Sequence, residues 1–220
     1  MQVLVIAPHP DDETLGVGGI ICRHVADGDH VHLVVMTETY PPVWPERDKV
    51  RRQAEVREAA DVLGIASVAF AGFPTMKLNT VPAIDLASYL IARVREHGPE
   101  VIYAPPFGDV NQDHDAVFKA TLVASRPLAG CSVRTLYSYE VAPTTRFANP
   151  ADAGRWQPNT YVNITDHMDA KLEAMTRYAS ELREPPHPRS LEGIRLFARE
   201  RGLAVGVPYA ETLTLIRDLH

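Results

Sequence analysis

The sequence predicts a three-layer, Rossmann-like α/β fold, with a mostly parallel, twisted sheet and helices on both faces, built as one domain over residues 1–220. Three observations predict it. Strand-length apolar runs alternate with helix-length segments that carry one apolar side. The runs at 3–7 and 101–104 are apolar end to end, as strands covered on both faces are. A cluster of imidazole and carboxylate side chains follows each run. Such clusters belong at the carboxyl edge of a parallel sheet, where open α/β sheets bind ligands.

Residues 3–7 have the length and branching of a buried strand. Pro8 and Pro10 fix φ and hold their predecessors extended, so the chain cannot coil straight into a helix. Asp12 or Thr14 then caps a helix running to about Gly28, with Leu15, Ile20, Ile21 and Val25 as its buried stripe. Cys22 falls on the same apolar side. Gly16, Gly18 and Gly19 do not follow the dinucleotide fingerprint, and they let this helix lie close to the sheet. The second strand, 31–36, ends in Thr37, Glu38 and Thr39, again at a carboxyl edge; Glu38 either reaches a pocket or is solvated. Residues 40–45 form a proline-stiffened aromatic loop. Its Trp44 either stacks on the apolar face of a sugar, or packs the loop down or meets another subunit.

Residues 48–63 read as a helix with Val50, Ala54, Ala59 and Leu63 on its apolar side and Gly64 just past its end. A short strand at 67–71, a loop at 73–80 and a helix at 81–97 follow. Ile84, Leu86, Leu90, Ile91 and Val94 mark that helix, and Gly98-Pro99 stops it. After the strand at 101, His114 or Asp115 opens a helix through Val117, Phe118 and Leu122. Residues 133–139 are a further strand. The polar stretch 140–159, with Arg146 and Trp156, is long for a plain connection and is expected to serve substrate or a subunit contact. Then come a short edge strand at 161–164, a helix over 166–182 capped by Thr165, and a stiff surface loop at 184–189 carrying His187. The last helix is 191–201.

The net charge of −6 and a pI near 5.8 argue against nucleic acid and acidic membrane surfaces as partners. No stretch approaches the roughly 20 apolar residues that a bilayer span needs. The N-terminus runs straight into a strand, without a basic region or small-residue cleavage site. Cys22 and Cys131 make no disulfide framework and are expected as reduced thiols in a cytoplasmic protein.

His9, Asp11, Asp12 and Glu13 crowd the mouth of a rigid strand, which is expensive without a cation to gather them. His9 and Asp12, i and i+3 across a turn, can put an imidazole nitrogen and a carboxylate oxygen on one metal. The best source of a third ligand is Gly108-Asp-Val-Asn-Gln-Asp-His-Asp115, through His114. Nitrogen and oxygen ligands suit zinc or another first-row divalent ion, and two His and one Asp with an open fourth position form a catalytic pattern. Asp113 is expected to orient a ligand imidazole.

These residues resemble a family. Ala7-Pro-His-Pro-Asp-Asp-Glu-Thr-Leu-Gly16, followed by Asp113-His114, is similar to the LmbE/PIG-L family of zinc-dependent N-deacetylases. Arg52, Glu55, Ala59, Leu63 and Gly64 fit its helix after the second strand. Lys171, Tyr178 and Ser180 fit its late helix, and 205–211 fits its closing segment. The resemblance implies a hydrolase that removes an N-acetyl group from an N-acetylglucosamine-type amino sugar, or a conjugate of one, by attack of metal-activated water. It implies His9, Asp12 and His114 as zinc ligands, Asp11 as general base, and Arg52 on the sugar or its acyl oxygen. Tyr209 and Glu211 would line the pocket from the same or a neighbouring subunit. The chain departs from the family at Asn111, where many relatives carry a His thought to help stabilise the oxyanion. Asn can donate a neutral hydrogen bond but supplies neither a proton nor a positive charge, which leaves open the donor to the leaving amine. The resemblance and the aromatic loops point to a homo-oligomer. Two other readings remain: an amidase acting on a larger acyl group or a thiol-sugar conjugate, and a carbohydrate-binding protein with a relic metal site.

Overall fold

A computed structural model describes residues 1–149, 151, 154 and 156–220. Its strands are β1 Gln2–Ala7, β2 His30–Glu38, β3 Ser67–Pro74, β4 Val101–Ala104, β5 Thr135–Tyr139, β6 Thr160–Asn163 and β7 Ala210–Asp218. They form one sheet in the order β3-β2-β1-β4-β5-β7-β6, parallel from β3 to β5, with β7 antiparallel to both its neighbours. The helices are α1 Asp12–Ala26, α2 Glu46–Leu63, α3 Ala83–His97, α4 Gln112–Ala124, α5 Ala142–Thr145, α6 Met168–Arg177 and α7 Leu191–Leu203. The expected three-layer α/β architecture is what the chain adopts.

The alternation of strand side chains builds two cores. Val3, Val5 and Ala7 of β1 face one cluster with residues of α1, α2, α6 and α7; Leu4 and Ile6 face the other with residues of α3 and α4. The chain runs outward from β1 through β2 to β3, then returns to lay β4 along the other flank of β1. Strand order therefore reverses between β1 and β4, and a crevice opens at their carboxyl ends. The two chemistry-bearing stretches of the sequence are the loops leaving these two strands.

The glycines of α1 do bring the helix close to its neighbours. A Cβ on Gly16 would run into Cδ2 of the buried Tyr139 ring and lie 3.0 Å from the Glu140 carbonyl oxygen. Tyr139 cannot move aside freely, because its hydroxyl donates to the Ile6 carbonyl at 2.8 Å. Gly16→Ala is expected to destabilise the fold by about 1–3 kcal/mol through overpacking, read as a lower urea midpoint with an unchanged slope.

Near its start α1 breaks at Val17, where φ is −136°. The break frees the amides of Gly19 and Ile20, which would otherwise bond within the helix. The Glu211 carboxylate takes both, at 2.9 and 2.8 Å. Lys171 Nζ answers that carboxylate at 2.6 Å and also donates to the Leu15 carbonyl at 2.8 Å. Both side chains are buried. Glu211 is therefore a structural group inside the fold, not a lining of the metal-site cleft as the resemblance implied. Tyr209 stacks under Arg195 and its hydroxyl accepts from that side chain at 3.3 Å.

Several local expectations shift. No side chain caps α1: Asp11 holds the N-cap position, the Asp12 carboxylate turns back to accept from the His9 amide, and Thr14 donates to Glu13. On α2 the buried stripe is Val56, Ala59, Ala60 and Leu63, while Val50 and Ala54 face solvent. Glu55 is buried with that stripe because Ser180 donates to it from both its amide and its hydroxyl. Ile84 of α3 is also exposed. His114 lies in the first turn of α4, whose N-cap is Asn111. The helix expected to reach residue 182 ends at Arg177, because Tyr178 leaves helical geometry to donate its hydroxyl to Glu13 at 2.5 Å. Of the closing segment 205–211, Ala210 and Glu211 open the nine-residue strand β7, which holds the edge strand β6 to the sheet. In 140–159, Trp156 is buried and donates to Ser138 Oγ, so it serves the fold; residues 150, 152, 153 and 155 lie outside the described residues.

Candidate metal centre and catalytic cleft

The turn after β1 is pinned before it turns. The Pro8 carbonyl accepts from both the amide and the hydroxyl of Thr37 on β2, at 3.0 and 2.8 Å. Asp11 then takes a left-handed conformation, φ 92° and ψ −21°, rare outside glycine and concentrated at functional sites. This reversal starts α1 and aims Asp12 back toward His9.

Three atoms converge there. His9 Nδ1 lies 3.2 Å from Asp12 Oδ2, and His114 Nε2 lies 3.3 Å from that oxygen and 3.3 Å from His9 Nδ1. The outer nitrogens face carboxylates: His9 Nε2 is 3.0 Å from Asp113 Oδ2, and His114 Nδ1 is 3.3 Å from Asp109 Oδ2. Those carboxylates favour ring protons on the outer nitrogens, as ligand imidazoles are usually held. With the protons outward, two nitrogen lone pairs and a carboxylate oxygen point at one another with no hydrogen between them. Ligands about 2.0–2.1 Å from a tetrahedral ion stand roughly 3.4 Å apart, so the triangle has the size a metal requires. Among the described residues, His9, Asp12 and His114 are the set whose donor atoms meet in this way.

The same carboxylates also favour positive charge at the site, so a proton on His114 competes with a metal for its inner nitrogen. Burial works against a charged His114, yet Asp12 and Asp109 overcome it and raise its pKa to about 10. Burial also works against a charged Asp12, but His114 and His9 hold its carboxyl well below the ordinary range. The nest draws positive charge to its centre. Besides meeting His9, Asp113 accepts from the amides of Met76 and Leu78, at 2.6 and 3.0 Å.

The cleft beside this centre has a volume of about 270 Å³. Asp11 lies on its floor, almost wholly buried, and burial pushes its carboxyl well above the usual range against the pull of Arg189. Asn111 lines the cleft, but its side-chain oxygen accepts from the Asp113 amide, which leaves its NH₂ group to face a ligand. Glu38 reaches the cleft and is paired there with Lys49 at 2.9 Å. Trp44 both lines the cleft and packs edge-on against Tyr40. Arg52 lines it and pairs with Glu181. His187 is exposed and away from the metal centre. Sequence reasoning missed Asp109, Glu181 and Arg189. Asp109 carried a weak signal as another acid in the second motif; Glu181 and Arg189 carried none, since only the fold brings them to β1.

Residues 4–125, more than half of the chain, match the PIG-L family, described as GlcNAc-PI de-N-acetylase. The chain belongs to the PIG-L family. The matched PIG-L region holds His9, Asp11, Asp12, Arg52, Asn111, Asp113 and His114; Glu181 and Arg189 lie beyond it. The chain is 25% identical over 190 residues to a probable N-acetyl-alpha-D-glucosaminyl L-malate deacetylase 2 of Bacillus anthracis, covering 82% of this chain and 81% of the relative. It is 24% identical over 234 residues to the diacetylchitobiose deacetylase of Thermococcus kodakarensis, covering 98% and 83%. Among solved structures, GalB, the 4-carboxy-2-hydroxymuconate hydratase of Pseudomonas putida KT2440, superposes with a TM-score of 0.77 at 22% identity, over 98% of this chain and 95% of GalB. That likeness shows the fold alone. Metal dependence is a property of the PIG-L deacetylases, and this chain has the donor set for it.

Proposed function

We propose that this chain is a metal-dependent hydrolase that removes the N-acetyl group of an N-acetylglucosamine-type amino sugar or conjugate. The observation that carries the reading is the triangle of His9 Nδ1, Asp12 Oδ2 and His114 Nε2 at 3.2–3.3 Å, opening on a cleft floored by Asp11. The PIG-L relatives named as deacetylases supply the reaction class.

The residues fit a divalent ion, and zinc is the ion we propose for two imidazoles and one carboxylate. Bound there, it supplies Lewis acidity, acidifying water and polarising an amide carbonyl. The remaining chemistry belongs to the side chains. Asp11 accepts a proton from water as its oxygen bonds to the acetyl carbon. Arg52 and Asn111 line the cleft, and in this reading the guanidinium and the Asn111 NH₂ group donate to the acyl oxygen. As the C–N bond breaks, Asp11 returns the proton to the leaving nitrogen, which answers the lack of an acid at Asn111. Acetate and a free amine leave.

The cleft volume is close to the lower end of small-molecule sites, roughly 300–1,000 Å³, which suits one sugar ring. Its cations are already answered, Lys49 by Glu38, and Arg52 and Arg189 by Glu181. That balance favours a neutral sugar over a substrate bearing its own anionic group. Among the described residues no helix is long and apolar enough to cross a membrane. The proposal includes a cytoplasmic homo-oligomer, supported by two free cysteines and by exposed Phe147 and Leu203.

The test is a panel of N-acetylated amino sugars assayed for primary-amine release, with metal content measured on the same sample. Chelation is expected to cut turnover at least about 100-fold, and zinc to restore it. Undiminished turnover in metal-free protein would overturn the reading. Faster release of longer acids than of acetate would favour the amidase reading, which uses the same ligands.

A further inference from the structure

A run of ionic contacts crosses the cleft floor that the roles above leave unused. Arg52 on α2 pairs with Glu181 Oε1, and Glu181 Oε2 accepts from Arg189 Nη1 at 3.0 Å. Arg189 Nε in turn lies 3.5 Å from Asp11 Oδ2. That oxygen is buried and, among the described residues, has no hydrogen-bond partner. Arg189 is the cation set against it.

We propose that Arg189 is a positioning residue for Asp11. It holds one carboxylate oxygen at the buried wall so that the other faces the cleft, and Glu181 holds Arg189 in that pose. The inference rests on the reading of Asp11 as the base.

The anchor of Arg189 is stiff. Pro185, Pro186 and Pro188 restrict φ along its loop. The Arg189 amide donates to His187 Nδ1 at 3.0 Å, and its carbonyl accepts from the Arg183 amide at 3.3 Å. The next residue, Ser190, caps α7 by accepting from the Gly193 amide at 3.0 Å. The guanidinium therefore reaches the cleft from a fixed point. It presents one edge to Glu181 and another to Asp11, a two-sided contact that a planar fork makes and an ammonium point charge does not. Asp11 already sits in a left-handed backbone conformation, so its main chain is fixed and the carboxylate rotation is the freedom left to restrain.

The experiment compares Arg189→Gln, Arg189→Lys and Glu181→Gln with the wild type, each loaded with zinc. Arg189→Gln is expected to lower kcat about 10–100-fold, the usual cost of losing such an outer partner, with KM within about twofold and full metal content. Arg189→Lys should stay impaired, because charge without the fork cannot meet both carboxylates. Combining Arg189→Gln with Glu181→Gln should cost no more than the worse single change, as expected of residues acting as one unit. Crystal structures of the variants should show the Asp11 carboxylate rotated or split over two rotamers while His9, Asp12 and His114 stay in place. Raised KM with unchanged kcat would make Arg189 a substrate contact and overturn the proposal. Full rescue by Lys, or an unmoved Asp11 carboxylate in Arg189→Gln, would overturn it as well. A wild type that deacetylates nothing would instead sink the deacetylase reading, and the crystallographic comparison would still decide the positioning role.

Discussion

Asp11→Asn is expected to keep its metal and lose turnover by about 10²–10⁴-fold, the range a positioned general base contributes. The exchange is nearly isosteric, and Asn tolerates the left-handed conformation that residue 11 adopts at φ 92°. The turn into α1 therefore survives, as do the three metal donors on His9, Asp12 and His114, none of which belongs to Asp11. What disappears is an oxygen able to take a proton from water and return it to the leaving nitrogen. Stability should hold or rise, because a buried carboxylate whose Oδ2 lacks a hydrogen-bond partner is replaced by a neutral group. Zinc content by atomic emission, set beside kcat on the best substrate of the panel, checks the claim. Turnover within tenfold of wild type would remove Asp11 from the proton path.

The largest effect on stability is expected from Lys171→Met. Lys171 Nζ is the cation facing the buried Glu211 carboxylate, and it also satisfies the Leu15 carbonyl at the break in α1. Its loss leaves a buried carboxylate with only the amides of Gly19 and Ile20, and a carbonyl without its donor. Breaking a buried pair from one side costs about 3–5 kcal/mol, and in a chain of this length that lowers Tm by roughly 10 °C. The double variant Lys171→Met/Glu211→Gln should recover part of the loss, since a neutral amide keeps an acceptor for the freed N–H groups without a buried charge. Thermal unfolding of the three proteins measures this. A single-variant cost below about 1 kcal/mol would show that the carboxylate finds another partner or water.

Both predictions concern carboxylates, and they separate what could be read along the chain from what could not. Local spacing gathers Asp11 with His9 and Asp12 in one stiff turn, while its role as base came only from the family resemblance. Glu211 was misread. It resembled a pocket residue by its place in a closing segment, whereas its task is to satisfy amides that a break in α1 exposes 191 and 192 residues earlier. The apolar side of α2 was misplaced for a related reason. Ala54 and Val50 fit a helical period, but the helix turns its Val56–Leu63 stripe inward, and Ser180 makes a buried Glu55 tolerable. Periodicity counts apolar residues and cannot see a distant hydroxyl.

By itself the sequence determined the α/β class, the strands that end in chemistry, and the approach of His9 to Asp12. Each of these follows from short-range rules: branching makes strands, prolines stop helices, and an i, i+3 turn pairs an imidazole with a carboxylate. Only the tertiary structure decided that β7 runs antiparallel into the sheet, that Glu211 and Lys171 repair a broken helix, and that Arg189 reaches Asp11 from a loop almost 180 residues away. A buried charge needs a partner within a few ångströms, and which residue supplies it depends on how the layers pack, a distance that no local period in the chain encodes.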